Sequence, residues 1–340
     1  HRSIGRLLYI GAWNYPFLTA TNTLIPAYLG GNALLFKPSE LTTLSGEFYI
    51  NMLYEAGVPE HLLQIAIGAG SVGSTLTDQY NWEGVFFTGS NNTGMNIYQS
   101  VSKKRPIAIA MELGGKDPLY VHNDIKDIDD VATSCVEGSF YNNGQSCCAV
   151  ERLYIHKDIY DTFLKCFIEK VKDLKIGDPF DQNTTNGPLA RPRHSTYLQQ
   201  QVEDAVAKGA TLQIGGTKHS LGENFYPPTV LTEVNHKMTI MKDESFGPII
   251  GIQKVENESE ALTLMQDTTY GLTASIYCES TEVGAKMLSQ LKVGTGNINC
   301  CDRVSPYLPW SGQKDSGFGH TLSKSGLFTF VSPYALQIRK

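Results

Sequence analysis

The chain has 340 residues, 41% hydrophobic and 18% charged, with a net charge of −6, an ordinary globular composition long enough for about two domains with full cores. The acidic balance, without a basic face, excludes a nucleic-acid partner, and the apolar stretches are too short or too interrupted for a membrane segment. Seven cysteines, odd in number and without a CxxC arrangement, and eight scattered histidines argue against a disulfide framework or a metal site and for a reducing, cytoplasmic compartment.

The chain opens at His1, without methionine, and runs almost at once into a strand. It reads as the remainder of something longer, so a targeting signal ahead of it stays open. Arg6 to Ile10 reads as a buried strand, Pro16 to Leu29 as a helix and Ala33 to Phe36 as a strand. A helix over Thr43 to Glu55, a strand over Leu63 to Ile67 and a short helix after Ser71 follow. The strand Gly84 to Phe87, the helix Thr93 to Val101 and the strand Ile107 to Met111 complete five strands with crossovers, the pattern of an α/β, doubly wound, Rossmann-like cofactor domain.

After Gly114-Gly115 a second α/β domain is expected. Its helices are Ile128 to Tyr141, Ile159 to Leu174 and Arg193 to Lys208, and its strands Leu153 to His156, Ile249 to Val255, Ala274 to Tyr277 and Gly296 to Asn299. The tail alternates apolar and polar residues over Tyr334 to Arg339, the period of a half-buried strand that pairs outside its own domain. The expected division is 1–114, 115–322 and a C-terminal segment 323–340.

Chemistry concentrates at Gly144-Gln145-Ser146-Cys147-Cys148. A cysteine in a glycine-rich turn next to a helical run has its thiol at a helix end, and thiol pKa values fall near helix N-termini and cations. Gly68-Ala69-Gly70-Ser71-Val72-Gly73 fits a dinucleotide loop but lacks the acidic residue at the end of the next strand, so it reads as a turn near the cofactor. Phe86-Phe87-Thr88-Gly89-Ser90 is the better phosphate candidate, since Ser90 stands where a helix starts. Lys37 and Glu40 end a strand as a pair able to hold a ribose diol, and the carboxylate would repel a 2′-phosphate, favouring NAD over NADP. Glu112 closes an apolar strand, where partial burial raises a carboxyl pKa as a general base requires. Asn14 ends the first strand, where an amide can serve as an oxyanion donor.

The ordered strings GAWNYPF, LLFKPSE, FTGSNNTG, MELGGKDP, NNGQSCC, DESFGP and WSGQKDSGFG resemble the aldehyde dehydrogenase superfamily over nearly the entire chain. The resemblance implies Cys147 as nucleophile, with Cys148 a packing neighbour, Glu112 as general base, and Asn14 with the Cys147 N–H as oxyanion donors. It implies cofactor contacts from Trp13, Lys37, Glu40, Gly68, Thr88, Gly89, Ser90, Leu113, Glu244 and Phe246, and substrate contacts from Tyr15, Trp310 and Cys301. The implied reaction oxidises an aldehyde to a carboxylic acid with NAD through a thiohemiacetal and a thioester, hydrolysed by a water that Glu112 deprotonates. A homodimer or homotetramer, joined through the C-terminal strand, is the implied assembly.

Family chains carry a further stretch ahead of WNYPF whose helices cover the cofactor domain, and without it an apolar sheet face would be left bare. The rival readings are a truncated, catalytically impaired or scaffold member that keeps the fold, and a cysteine hydrolase that uses no NAD. In the loop Cys300-Cys301-Asp302-Arg303, Arg303 could attract an acidic aldehyde or simply sit at the surface.

Overall fold

The computed structural model describes residues 1–191, 193–217, 219–301 and 303–339; of the loop just named, Asp302 lies outside them. The chain forms two compact units, His1–Leu113 with Val304–Lys340, and Gly114–Arg303.

In the first unit the chain runs β1 (Arg2–Ser3), β2 (Arg6–Ile10), α1 (Pro16–Leu29), β3 (Ala33–Lys37), α2 (Thr43–Glu55), β4 (Leu63–Ile65), α3 (Gly70–Gln79), β5 (Gly84–Thr88), α4 (Asn91–Ser102) and β6 (Ala108–Glu112). The main sheet is ordered β4-β3-β2-β5-β6, all parallel. The chain moves outward from β2 to β4, returns beside β2 as β5, and so leaves a switch point between the ends of β2 and β5, where such sheets bind ligands. Side chains alternate across β2: Leu7 and Tyr9 pack under α1 and α2, Leu8 and Ile10 under α3 and α4, as the two-residue period of a strand requires. Both faces of the sheet are therefore covered by this chain's own helices. The bare sheet face expected from the sequence does not occur; apolar exposure lies instead on the outer side of α2, at Leu44, Phe48 and Met52, four residues apart.

In the second unit come β7 (Asp117–Val121), α5 (Ile128–Phe140), β8 (Val150–His156), α6 (Tyr160–Lys172), α7 (His194–Ala207), β9 (Thr211–Ile214), β10 (Thr229–Thr232), β11 (Ile249–Val255), α8 (Glu258–Gln266), β12 (Thr273–Tyr277), α9 (Thr281–Leu288) and β13 (Thr295–Ile298). The sheet order is β13-β12-β7-β8-β11-β10-β9, parallel except for β9. Helices α5 and α6 pack on one face, α7, α8 and α9 on the other. Asp127 starts α5 by accepting from the Asp130 N–H at 3.0 Å, with Asp129 and Asp130 in the first turn, where acidic side chains suit the helix dipole.

The sequence puts a boundary at 322/323, but the chain returns to the first unit at Val304. The cause is the segment 310–321, which belongs to the edge of the first sheet. Its strand β14 (Gly317–Phe318) pairs antiparallel with β6, Gly317 opposite Glu112. The tail makes one short pairing within the chain and then leaves the sheet. Its last strand, β15 (Val331–Ser332), pairs with β1, whereas Tyr334 to Arg339 join no ladder and leave Leu336 and Ile338 exposed; the Arg2 guanidinium lies 3.5 Å over the Tyr334 ring.

Candidate active site

In the first unit the motif residues gather at the C-terminal edge of the sheet. Trp13, Asn14 and Tyr15 form the bend between β2 and α1, all half-buried, and Pro16 starts α1 where its missing N–H costs nothing. Lys37 ends β3 with its stem buried and its Nζ donating to the Pro38 carbonyl at 3.1 Å. Burial pushes its pKa down, and the nearby Glu40 carboxylate pushes it up. Gly68, at φ +152°, makes the turn into α3, and any Cβ there would meet the Val72 side chain at 2.4 Å.

Thr88 ends β5 opposite Glu112 on β6, and the Gly89 N–H donates to the Glu112 carbonyl at 3.0 Å. Ser90 occupies the N-cap position of α4, but its hydroxyl bonds the Thr93 hydroxyl at 3.1 Å rather than a backbone N–H. The first-turn N–H groups are thus not capped by that side chain, the arrangement that favours an anion at a helix start. Leu113 turns its side chain into the core, so only its main chain could touch a cofactor.

Glu112 is the most perturbed carboxyl of this edge. Thr321 Oγ1 donates to its Oε1 at 3.4 Å, while its Oε2 is buried without a hydrogen-bond partner. Burial raises its pKa to about 8, against hydrogen bonds from Thr321 and the Trp310 indole that hold it lower. Trp310 is fixed by paired main-chain bonds with Thr321, both 2.9 Å. The WSGQKDSGFG string therefore folds back to enclose the Glu112 carboxyl: the Leu113 N–H reaches the Ser316 carbonyl at 3.0 Å, and Gly317, at φ +111°, lies where a Cβ would collide with the Met111 carbonyl oxygen at 1.9 Å.

In the second unit the cysteine turn is built from three consecutive left-handed residues, Asn142 (φ 51°), Asn143 (φ 56°) and Gly144 (φ 65°), a conformation that asparagine and glycine tolerate best. Side chains lock it. Asn143 donates to the Gly187 carbonyl and accepts from Asn186, both at 2.8 Å, and Gln145 Oε1 accepts from the Ala190 N–H at 3.0 Å. From residue 143 to 150 every residue is buried except Cys147, which keeps an open side. Cys148 is buried with its sulfur 3.5 Å from the Ser146 hydroxyl. The turn follows the C-terminal end of α5. The helix end beside Cys147 thus presents carbonyls rather than free N–H groups.

The glycines of MELGGK explain themselves by contact. A Cβ on Gly114 would lie 2.1 Å from Glu244 Oε1, and one on Gly115 would lie 2.5 Å from the Cys147 carbonyl oxygen. The Gly115 N–H donates to Glu244 Oε1 at 2.9 Å. Burial raises the Glu244 pKa to about 8, with the Glu151 carboxylate adding to the rise. Phe246 sits at φ 49°, an uncommon conformation for a bulky residue.

Cys301, expected on the substrate side, is 4% exposed. Its sulfur faces the Ser134 carbonyl at 3.5 Å and the Tyr277 hydroxyl at 3.7 Å, so it is a core residue of the second unit. Arg303 pairs with Glu137 at 3.6 Å, both side chains largely exposed. Sequence reasoning missed Glu151, Lys116 and His194, which support the Glu244 loop; no spacing signal marks a charge destined for burial. Among the described residues no group of three or more His, Cys, Asp or Glu is arranged to hold a metal ion, and no helix is long and apolar enough to cross a membrane.

Comparison with known proteins gives the same picture across the whole chain. The model of the aldehyde dehydrogenase family matches residues 1–334. An aldehyde dehydrogenase of Aspergillus niger is 33% identical over 340 residues, which is 100% of this chain and 68% of the relative. The crystal structure of Staphylococcus aureus betaine aldehyde dehydrogenase in complex with NAD+ superposes with a TM-score of 0.92 at 32% identity, over 96% of this chain and 66% of that one. An NADP-dependent enzyme of Escherichia coli gives 0.93 at 30% identity, over 97% and 68%. The chain thus spans about two thirds of the length of the proteins it matches. The match of fold, motif order and sequence over nearly every residue establishes that the chain belongs to the aldehyde dehydrogenase family.

Proposed function

We propose that this chain oxidises an aldehyde to the carboxylic acid, using NAD, with Cys147 as the nucleophile. The observation that carries this reading is the exposure pattern of the cysteine turn, in which Cys147 alone keeps an open side in a buried, side-chain-locked stretch. In this reading the Cys147 sulfur adds to the aldehyde carbon, and the Asn14 amide and the Cys147 N–H hold the resulting oxyanion. When bound, NAD supplies the acceptor for the hydride. Glu112 then takes a proton from the water that attacks the acyl-cysteine; its orphaned Oε2 and raised pKa suit an acceptor working near neutral pH. Trp310, beside Glu112, shields that carboxyl and forms an apolar wall for the substrate, with Tyr15 on the substrate side.

The cofactor assignment is supported by the cradle of the first unit. Gly68 and Gly89 sit where a side chain would collide with its neighbours, the start of α4 is not capped by Ser90, and Lys37 with Glu40 suits a ribose diol. Trp13, Thr88 and the main chain of Leu113 complete the first-unit contacts, and Glu244 and Phe246 are assigned to the nicotinamide end. The Glu40 carboxylate favours NAD over NADP. Among the described residues no two cysteines are joined in a disulfide, which fits a cytoplasmic compartment, and the alternating tail, outside every ladder of the described residues, suits a homodimer or homotetramer.

The test is Cys147→Ser on the intact chain, assayed with an aldehyde panel and NAD, beside calorimetric NAD titration. Loss of turnover with NAD affinity retained is expected; undiminished turnover would refute the assignment. A chain that folds but binds no NAD would favour the scaffold reading.

A further inference from the structure

The tripeptide Glu244-Ser245-Phe246 is held at nearly every polar main-chain atom by side chains that no motif assigns. The Glu151 carboxylate accepts from the Ser245 N–H through Oε2 and from the Phe246 N–H through Oε1, both at 2.8 Å. The Ser245 and Phe246 carbonyls share His194 Nε2 at 2.9 and 3.0 Å. Two carbonyl acceptors on one nitrogen mean that Nε2 carries the proton, and burial keeps that ring neutral. The Tyr197 hydroxyl donates to the Glu244 carbonyl at 3.1 Å. The Ser245 hydroxyl donates to Gln201 Oε1 at 2.7 Å and accepts from Lys116 Nζ at 2.9 Å.

At the centre of this clamp is a buried ion pair. Lys116 Nζ lies 2.6 Å from Glu151 Oε2, and the two side chains are 0% and 4% exposed. Such a pair gains little over an apolar core of the same volume, so stability alone gives a poor account of it. What it does provide is a two-oxygen acceptor fixed at one point, which an apolar pair could not supply. That acceptor meets the successive N–H groups of Ser245 and Phe246, and the left-handed backbone of Phe246 persists only where the surroundings impose it.

We propose that Glu151 is a positioning residue, which through the Ser245 and Phe246 N–H groups sets Glu244 and Phe246 for the nicotinamide end of the cofactor, with Lys116 as its counter-charge. The proposal rests on the function proposed above. A wider role follows for Lys116: it neutralises Glu151 while Gly115, its neighbour, orients the Glu244 carboxylate.

The experiment is Glu151→Gln and the double variant Lys116→Met with Glu151→Gln in the full chain, with NAD Kd by fluorescence titration, KM for NAD and aldehyde, and thermal stability. Glutamine has one acceptor oxygen, so one of the two N–H groups faces a donor. Both variants are expected to bind NAD about tenfold or more weakly, the range of one hydrogen bond to a charged group, with KM for the aldehyde unchanged. The double variant, relieved of the unpaired lysine, should recover stability without recovering NAD affinity. Recovery of both together would mean a purely structural role and would overturn the proposal, as would unaltered NAD affinity in folded Glu151→Gln. If the single variant does not fold, the double variant carries the same comparison with the parent chain. If the parent itself binds no NAD, the function proposed above falls, and this inference with it.

Discussion

Replacing Glu112 by glutamine tests both the chemistry and the electrostatics of the site. The Glu112 carboxyl has its pKa raised from 4.5 to about 8, chiefly by burial, so the folded chain holds this proton more tightly than the unfolded chain does. Its contribution to stability is present in full below the unfolded pKa and is lost as pH rises through the folded one. Between those limits the loss amounts to about 3 to 5 kcal/mol. The glutamine variant cannot ionise, so denaturant unfolding should show it gaining on the parent by about 2 to 3 kcal/mol from pH 6 to pH 9, the part of that loss that falls in this window. In activity, the parent should show a rising limb with an apparent pKa near 8, since only the ionised carboxylate accepts a proton from water. The variant should keep a pre-steady-state burst of reduced cofactor, while steady turnover falls by about 10²–10⁴-fold. Unreduced steady turnover in the variant, or a stability difference that does not change with pH, would refute the reasoning.

The oxyanion role of Asn14 predicts that Asn14→Ala lowers kcat by about 10²–10³-fold, measured as steady-state kinetics against an unchanged NAD Kd. Gly115→Ala would drive a methyl to 2.5 Å from the Cys147 carbonyl oxygen; it should abolish turnover while circular dichroism stays native. Asp117, buried at the start of β7 with its pKa raised by burial, accepts from the Thr273 hydroxyl and N–H. Thr273→Val removes one of these donors and should cost about 1–3 kcal/mol in denaturant unfolding. Phe48→Glu alters an exposed side chain on α2 and should leave stability within about 0.5 kcal/mol while lowering light scattering in concentrated solution.

The sequence made the first unit legible because its strands are continuous apolar runs separated by short helical segments, as β2 and β5 show. The second unit was harder. Strand β7 is hard to read from sequence because it begins Asp117-Pro118, and proline is unusual inside a sheet; the fold accommodates it with a register shift against β8 at that dipeptide. The alternation over Tyr334 to Arg339 has the period of a strand that pairs outside its own domain, and among the described residues no other segment of this chain supplies the partner N–H and C=O groups of a ladder there. Loop position alone sets Cys301 on the substrate side, whereas its sulfur fills the room that Gly138 leaves by lacking a side chain, where a Cβ would meet it at 2.4 Å, and so lies in the core. The motif residues could be located in the chain from their strings alone. Their supports could not, because Lys116 and Glu151 read as surface charges until their burial is known.

The two adjacent glycines of MELGGK act as a mould of what must lie against them, a carboxylate at 114 and a peptide carbonyl at 115. Each records a different neighbour, so the pair fails in two distinguishable ways when either gains a methyl. This gives a criterion for sorting related chains that share the other strings: a copy carrying a side chain at either position has lost the shape of the site, whatever else it retains. By that criterion this chain, with both positions bare, keeps the imprint of a working enzyme.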